Sequence, residues 1–194
     1  MSRPPVIVGI SGASGAALGL SVVEQLHAVN VAVALVVTPA AARTRATGVD
    51  KGAQDRLRAL AGQIYEVSDI GADIASGSFP VAGMLIAPCS MRSLGAIAHS
   101  LNDNLLERAA AVQLKERRPL VVIAREAPRH LEHLRAMSQI TELGGIILQP
   151  PPAFYLRPKT VQDLIDQIAA RAIDLLRLGP PLAQSWHALH QAWA

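Results

Sequence analysis

Aromatic residues are scarce in this chain: two Phe, two Tyr and two Trp make up 3% of its 194 residues. A core without them is built from Ala, Val, Ile and Leu, which suits strands buried on both faces by helices. Cysteine is scarcer still, and Cys89 alone allows neither a disulfide framework nor a multi-cysteine zinc site. Long apolar runs are missing, because Gly, Ser or Pro breaks each one well short of the about 18 residues that a membrane span needs. The N-terminus, Met1-Ser2-Arg3-Pro4-Pro5, shows no signal-peptide pattern. Lysine supplies only 3 of the 18 basic residues, and the arginines are scattered, so no nucleic-acid surface is expected at a net charge of +3. An apolar fraction of 51% with 17% charged residues excludes disorder. These absences point to one soluble, cytoplasmic domain spanning 1–194, with no metal and no membrane partner.

What is present alternates. Val6–Ile10, Val31–Val37, Gly83–Ala87, Pro119–Ala124 and Gly145–Leu148 are short apolar runs that read as buried strands. Helical patterns fall between and after them, at Ala16–Ala28, Ser93–His99, Asn104–Arg117, His130–Leu143 and Val161–Leu176, and Pro39 sits where a first helical position would be. The order predicts an α/β fold, a Rossmann-like (flavodoxin-like) open and mostly parallel sheet with helices on both faces. Pro150-Pro151-Pro152 reads as a rigid connection to the last helix. Ligands of such folds sit at the C-terminal ends of the strands.

The residues after the strands carry the chemistry. Gly9-Ile10-Ser11-Gly12-Ala13-Ser14-Gly15 opens a helix and forms a cradle for an anion, with backbone N–H groups, a helix dipole and two hydroxyls. Its spacing is not G-x-G-x-x-G, and the second strand ends at Thr38 rather than an acid, so a mononucleotide phosphate fits better than a dinucleotide. A tight strand–helix turn without a ligand is the plain alternative. Pro88-Cys89-Ser90-Met91-Arg92-Ser93 reads either as a helix cap or as a second set of donors. No general base stands near Cys89 in sequence, which favours a buried structural thiol over a nucleophile. Lys115 ends a helix, and Arg125-Glu126 closes a strand, a pairing suited to phosphate binding with proton transfer or to a surface ion pair. His130 and His133 share a helix face but lack a third ligand, so a solvated face is expected there.

Together these blocks resemble the UbiX flavin prenyltransferases. The resemblance runs over nearly the whole chain, through Gly9–Ala16, Ala75-Ser76-Gly77-Ser78, Pro88-Cys89-Ser90 and Asp103–Ala110. It continues through Leu114–Leu120, Arg125-Glu126-Ala127-Pro128 and Pro152–Pro158. It implies joining of dimethylallyl monophosphate to reduced FMN, giving the prenylated FMN that UbiD-type decarboxylases require, in a homo-oligomer that is usually a dodecamer. By the same resemblance Gly12, Ala13, Ser14, Thr38, Ser90, Met91, Arg92, Ser93 and Arg125 contact FMN, with Ser14 near the reacting nitrogen. Arg108 reaches in from a neighbouring subunit. Lys115, Glu126, Tyr155 and Arg171 hold the prenyl phosphate, and Trp186, in a tail at 178–194, closes over the prenyl group. Those residue types suit ionisation of an allylic phosphate: cations and a hydroxyl for the leaving group, an acid, and a π face beside the cation.

Two positions depart from the family pattern. After the second strand the family reads Ser-Lys-Ala-Ala and then Glu-Thr-Asp, whereas this chain reads Thr38-Pro39-Ala40-Ala41 and Gly48-Val49-Asp50. The family's Glu assists proton transfer during ring closure, and Gly48 has no side chain to do so. Two readings follow: an active prenyltransferase in which Asp50, water or Ser14 takes over, or a paralogue impaired in ring closure that carries FMN or prenylated FMN.

Overall fold

The computed structural model describes residues 3–48 and 52–186. Among these, six strands form one sheet: β1 (Val6–Ile10), β2 (Val33–Val37), β3 (Gln63–Tyr65), β4 (Gly83–Cys89), β5 (Leu120–Ala124) and β6 (Ile146–Leu148). Their order is β3-β2-β1-β4-β5-β6 and every pairing is parallel. Without the three-residue edge strand β3 this is the flavodoxin order, and the chain reverses direction across the sheet between β1 and β4.

Helices cover both faces. On one side α1 (Ala16–Ala28), α3 (Ala53–Leu60) and α7 (Val161–Asp174) pack over Val8, Ile10, Leu35, Leu85 and Val121. On the other, α4 (Met91–Ala98), α5 (Leu105–Lys115) and α6 (Leu131–Glu142) pack over Ile7, Val36, Met84, Ile86 and Val122. Both faces of β1, β4 and β5 are thus dry, as their unbroken apolar sequences require. α2 (Pro39–Gly48) starts at the proline that sequence alone marked.

The strand and helix assignments shift at their ends. Val31 lies outside β2 because its N–H closes the end of α1, on Leu26 at 2.9 Å. β4 runs on to Cys89, and its pairing with β5 slips between Ile86 and Cys89, where Pro88 has no N–H to give. α4 begins at Met91 because Ser90 is its cap, accepting the Ser93 N–H at 3.3 Å. α3 and β3 have no counterpart in the sequence reading.

One glycine sets how closely α1 lies on the sheet. A Cβ on Gly19 would stand 2.4 Å from the Ala87 carbonyl oxygen and 2.9 Å from Ile10 Cδ1. Gly19→Ala should push α1 off β1 and β4 and lower stability by about 1–3 kcal/mol, read as a reduced urea midpoint; an unchanged midpoint contradicts this packing.

Candidate active site

The C-terminal strand ends meet in a web of short hydrogen bonds. Ser11 follows β1 and is buried; its N–H and hydroxyl both donate to the Pro88 carbonyl, at 3.1 and 3.2 Å, while its oxygen accepts the Ser90 N–H at 2.7 Å. The Thr38 N–H donates to the Ile10 carbonyl at 3.0 Å, and the Arg125 N–H donates to that of Cys89 at 3.1 Å. The ends of β2, β1, β4 and β5, neighbours in the sheet, are tied to one another on either side of the point where the chain reverses direction.

Around that web sit the residues expected to hold FMN. Gly12 lies against the start of α2, where a Cβ would come within 2.4 Å of the Ala40 methyl group; the turn therefore stays backbone-lined, which suits close approach by a phosphate. Ala13 is buried, while Ser14 is exposed at the start of α1. Thr38 accepts the Ala41 N–H at 3.2 Å and opens α2. Ser90 caps α4, Met91 is half-buried and Ser93 is buried. Arg125 is exposed at the end of β5, with Glu126 half-buried beside it.

The guanidinium of Arg92 is engaged elsewhere. It donates to Glu107 and, at 3.5 Å, to Asp103, both at the start of α5. Glu107 is fully buried, and its second oxygen has no partner among the described residues. Burial holds its carboxyl above the usual carboxylate range, and Asp103 adds to this, against Asn104 and Arg92. Sequence reasoning missed this group because Glu107 reads as an ordinary surface acid in the first turn of a helix. Burial likewise pushes the Cys89 thiol up to about 12, part of the effect being offset by the Ser11 hydrogen bond. It is a neutral packing group, as its sequence context suggested.

The residues assigned to the prenyl phosphate do not gather in one place. Tyr155 and Trp186 touch edge to face, ring centroids 5.0 Å apart, and Arg171 is exposed on α7. All three belong to the α7 side of the sheet. Lys115 belongs to the other side, at the C-terminal end of α5. There it pairs with Glu116 at 2.6 Å beside Gly77, just ahead of the first residues of β5 rather than near the last. Arg108 lies on the same helix, half-buried. A sheet and its two helical layers stand between Lys115 and Arg171 within one chain. His130 and His133 stack with ring centroids 3.5 Å apart, and no group of three or more metal-ligating side chains occurs among the described residues.

The family model described as Flavoprotein matches residues 1–172. A flavin prenyltransferase UbiX of Thauera aromatica is 49% identical over 181 residues, covering 93% of each chain. The chain belongs to the UbiX flavin prenyltransferase family. Solved members share its fold. The crystal structure of AnUbiX in complex with FMN and dimethylallyl pyrophosphate matches with a TM-score of 0.91 at 40% identity, over 95% of this chain and 97% of that one. A dodecameric FMN-dependent UbiX-like decarboxylase from Escherichia coli O157:H7 matches at 0.89 and 38%, over 94% and 98%.

The buried carboxyl generates a pH-dependent expectation. The folded chain holds the Glu107 proton more tightly than the unfolded chain does. Its contribution to stability is therefore largest below the ordinary glutamate range, near pH 4.3, and falls as pH rises above it. Glu107→Gln keeps the shape and removes the charge, so its stability relative to the parent should increase from about pH 4 to about pH 7. Urea unfolding at both values reads this, and a difference independent of pH contradicts it.

Proposed function

We propose that the chain joins dimethylallyl monophosphate to reduced FMN and releases prenylated FMN to a UbiD-type decarboxylase. The observation that carries this reading is the convergence of a backbone-lined anion cradle with the ends of β1, β2, β4 and β5 at one point of the sheet. The donor set there, Ser and Thr hydroxyls, helix-start N–H groups and Arg125, fits the phosphate and the polar edge of FMN. No helix among the described residues is long and apolar enough to cross a membrane.

FMN is a substrate here, supplying the nucleophilic ring atoms. The Ser11–Gly15 turn and the Ser90–Ser93 start of α4 orient it, and Ser14 stands exposed where a ring nitrogen is to be met. Lys115, Arg171 and the Tyr155 hydroxyl neutralise the prenyl phosphate as it departs, and Glu126 holds a proton for it. Trp186 against Tyr155 presents a π face to the developing allyl cation and excludes water. Four positive or hydrogen-bonding side chains make a metal unnecessary for the leaving group.

Lys115 and Arg171 lie on opposite sides of the sheet, so they serve one phosphate only if two copies of the chain supply them. A homo-oligomer with the site between subunits, dodecameric like its neighbour in fold, follows from this reading. Arg108, on the same helix as Lys115, reaches in from that second copy.

The second reading, a chain impaired in ring closure, rests on Gly48. It is the last residue of α2, and Asp50 lies outside the described residues. Anaerobic incubation with reduced FMN and dimethylallyl monophosphate, followed by absorbance and mass, distinguishes the outcomes. We expect prenyl attachment with slow ring closure, and closure faster by about 10²-fold or more in Gly48→Glu, the usual contribution of a positioned acid or base. No prenyl attachment by the parent overturns the enzymatic reading, and prompt closure with no gain from Gly48→Glu overturns the role given to that position.

A further inference from the structure

Past α7 the chain turns through Gly179-Pro180-Pro181 and doubles back along the helix. Asp174 accepts the N–H of Leu182 at 2.7 Å and that of Ala183 at 3.2 Å. Gln167 then grips the next residue from both sides: its Oε1 accepts the Gln184 N–H at 3.1 Å, and its Nε2 donates to the Gln184 carbonyl at 3.0 Å. This is the pairing a neighbouring strand would give, made here by two helix side chains.

Gln167, Arg171 and Asp174 are spaced by four and three residues, so they share one face of α7. The tail meets Asp174 before Gln167 and so runs antiparallel to the helix, across the face that carries Arg171. Two residues later Trp186 reaches Tyr155, edge to face. Trp186 is 55% exposed, so burial alone holds it weakly. The 182–186 segment has no helix or strand of its own, and Gln167 and Asp174 hold its backbone at Leu182, Ala183 and Gln184.

We propose that Gln167 and Asp174 are positioning residues of the prenyl pocket: they fasten the tail to α7 and thereby set Trp186 against Tyr155. The inference rests on the reading of Tyr155 and Trp186 as the wall of that pocket. Neither anchor need touch a substrate, and neither carries a motif that sequence reading would single out.

The test compares Gln167→Ala, Asp174→Ala and Trp186→Ala, alone and combined, in full-length protein. Amide exchange at Leu182, Ala183 and Gln184 should accelerate in the two anchor variants and stay slow in Trp186→Ala. The KM for dimethylallyl monophosphate should rise about five- to tenfold in each anchor variant, the effect of one or two lost hydrogen bonds, with kcat less affected and FMN affinity unchanged. Adding an anchor variant to Trp186→Ala should raise KM no further, because the anchors act through that ring. Unchanged exchange in both anchor variants overturns the inference whatever the assay gives. So does a raised KM in Trp186→Ala that neither anchor variant shares, or a fully additive double variant. If Trp186→Ala leaves KM at the parental value, the reading of the pocket wall fails, and the role of the anchors falls with it. A parent that turns nothing over while exchange responds to both variants places the failure in the functional reading and likewise removes that role.

Discussion

A parallel sheet dry on both faces leaves its backbone polar groups accessible only at the strand ends. That constraint governs the molecule. β1, β4 and β5 are buried along their whole length, so ligand-binding groups must be supplied by the turns that follow them. Ser11 makes those turns act as one surface. A single buried hydroxyl, donating to Pro88 and accepting from Ser90, links the turn after β1 to the end of its neighbour β4. Its loss would leave the Ser90 N–H without this partner, a cost of about 1–3 kcal/mol, while the Pro88 carbonyl would keep the Ser11 N–H.

The same constraint separates two of the side chains proposed to hold the prenyl phosphate. Right-handed crossovers keep the helices on one face while the chain winds one way across the sheet and put them on the other face once it reverses. α5 and α7 fall on opposite faces, and they carry Lys115 and Arg171 with them. Within one chain the sheet keeps these cations apart, and Lys115 is paired with Glu116. On the proposed reading, assembly brings the two together around a leaving group that needs both.

Much of the fold was legible because its core strands are continuous apolar runs, and α1 was bounded to the residue by the glycines before it and the polar turn after it. β3 was not legible: Gln63 and Ile64 are exposed at the sheet edge, and three residues without alternation carry no signal. α3 was missed for a similar reason, since only Ala53 and Leu57 of its eight residues are buried. At the site, the Gly-rich turn, Ser90 and Arg125 could be read because each directly follows an apolar strand. Glu107 could not, because its burial depends on how α5 meets α4, and the Gln167 and Asp174 anchors could not, because their partners are backbone atoms of an irregular segment. The division of Lys115 from Arg171 is a property of topology, invisible to motifs that name both as one pocket.

The shared site is the claim on which the rest turns, and complementation between two inactive variants measures it directly. Lys115→Ala and Arg171→Ala should each abolish most prenyl transfer as pure oligomers. Co-expressed in equal amounts, they should assemble with about a quarter of the sites intact, each taking its lysine from one variant and its arginine from the other, and activity should return to that order. Mixed oligomers as inactive as either parent variant would contradict a site completed by a second copy.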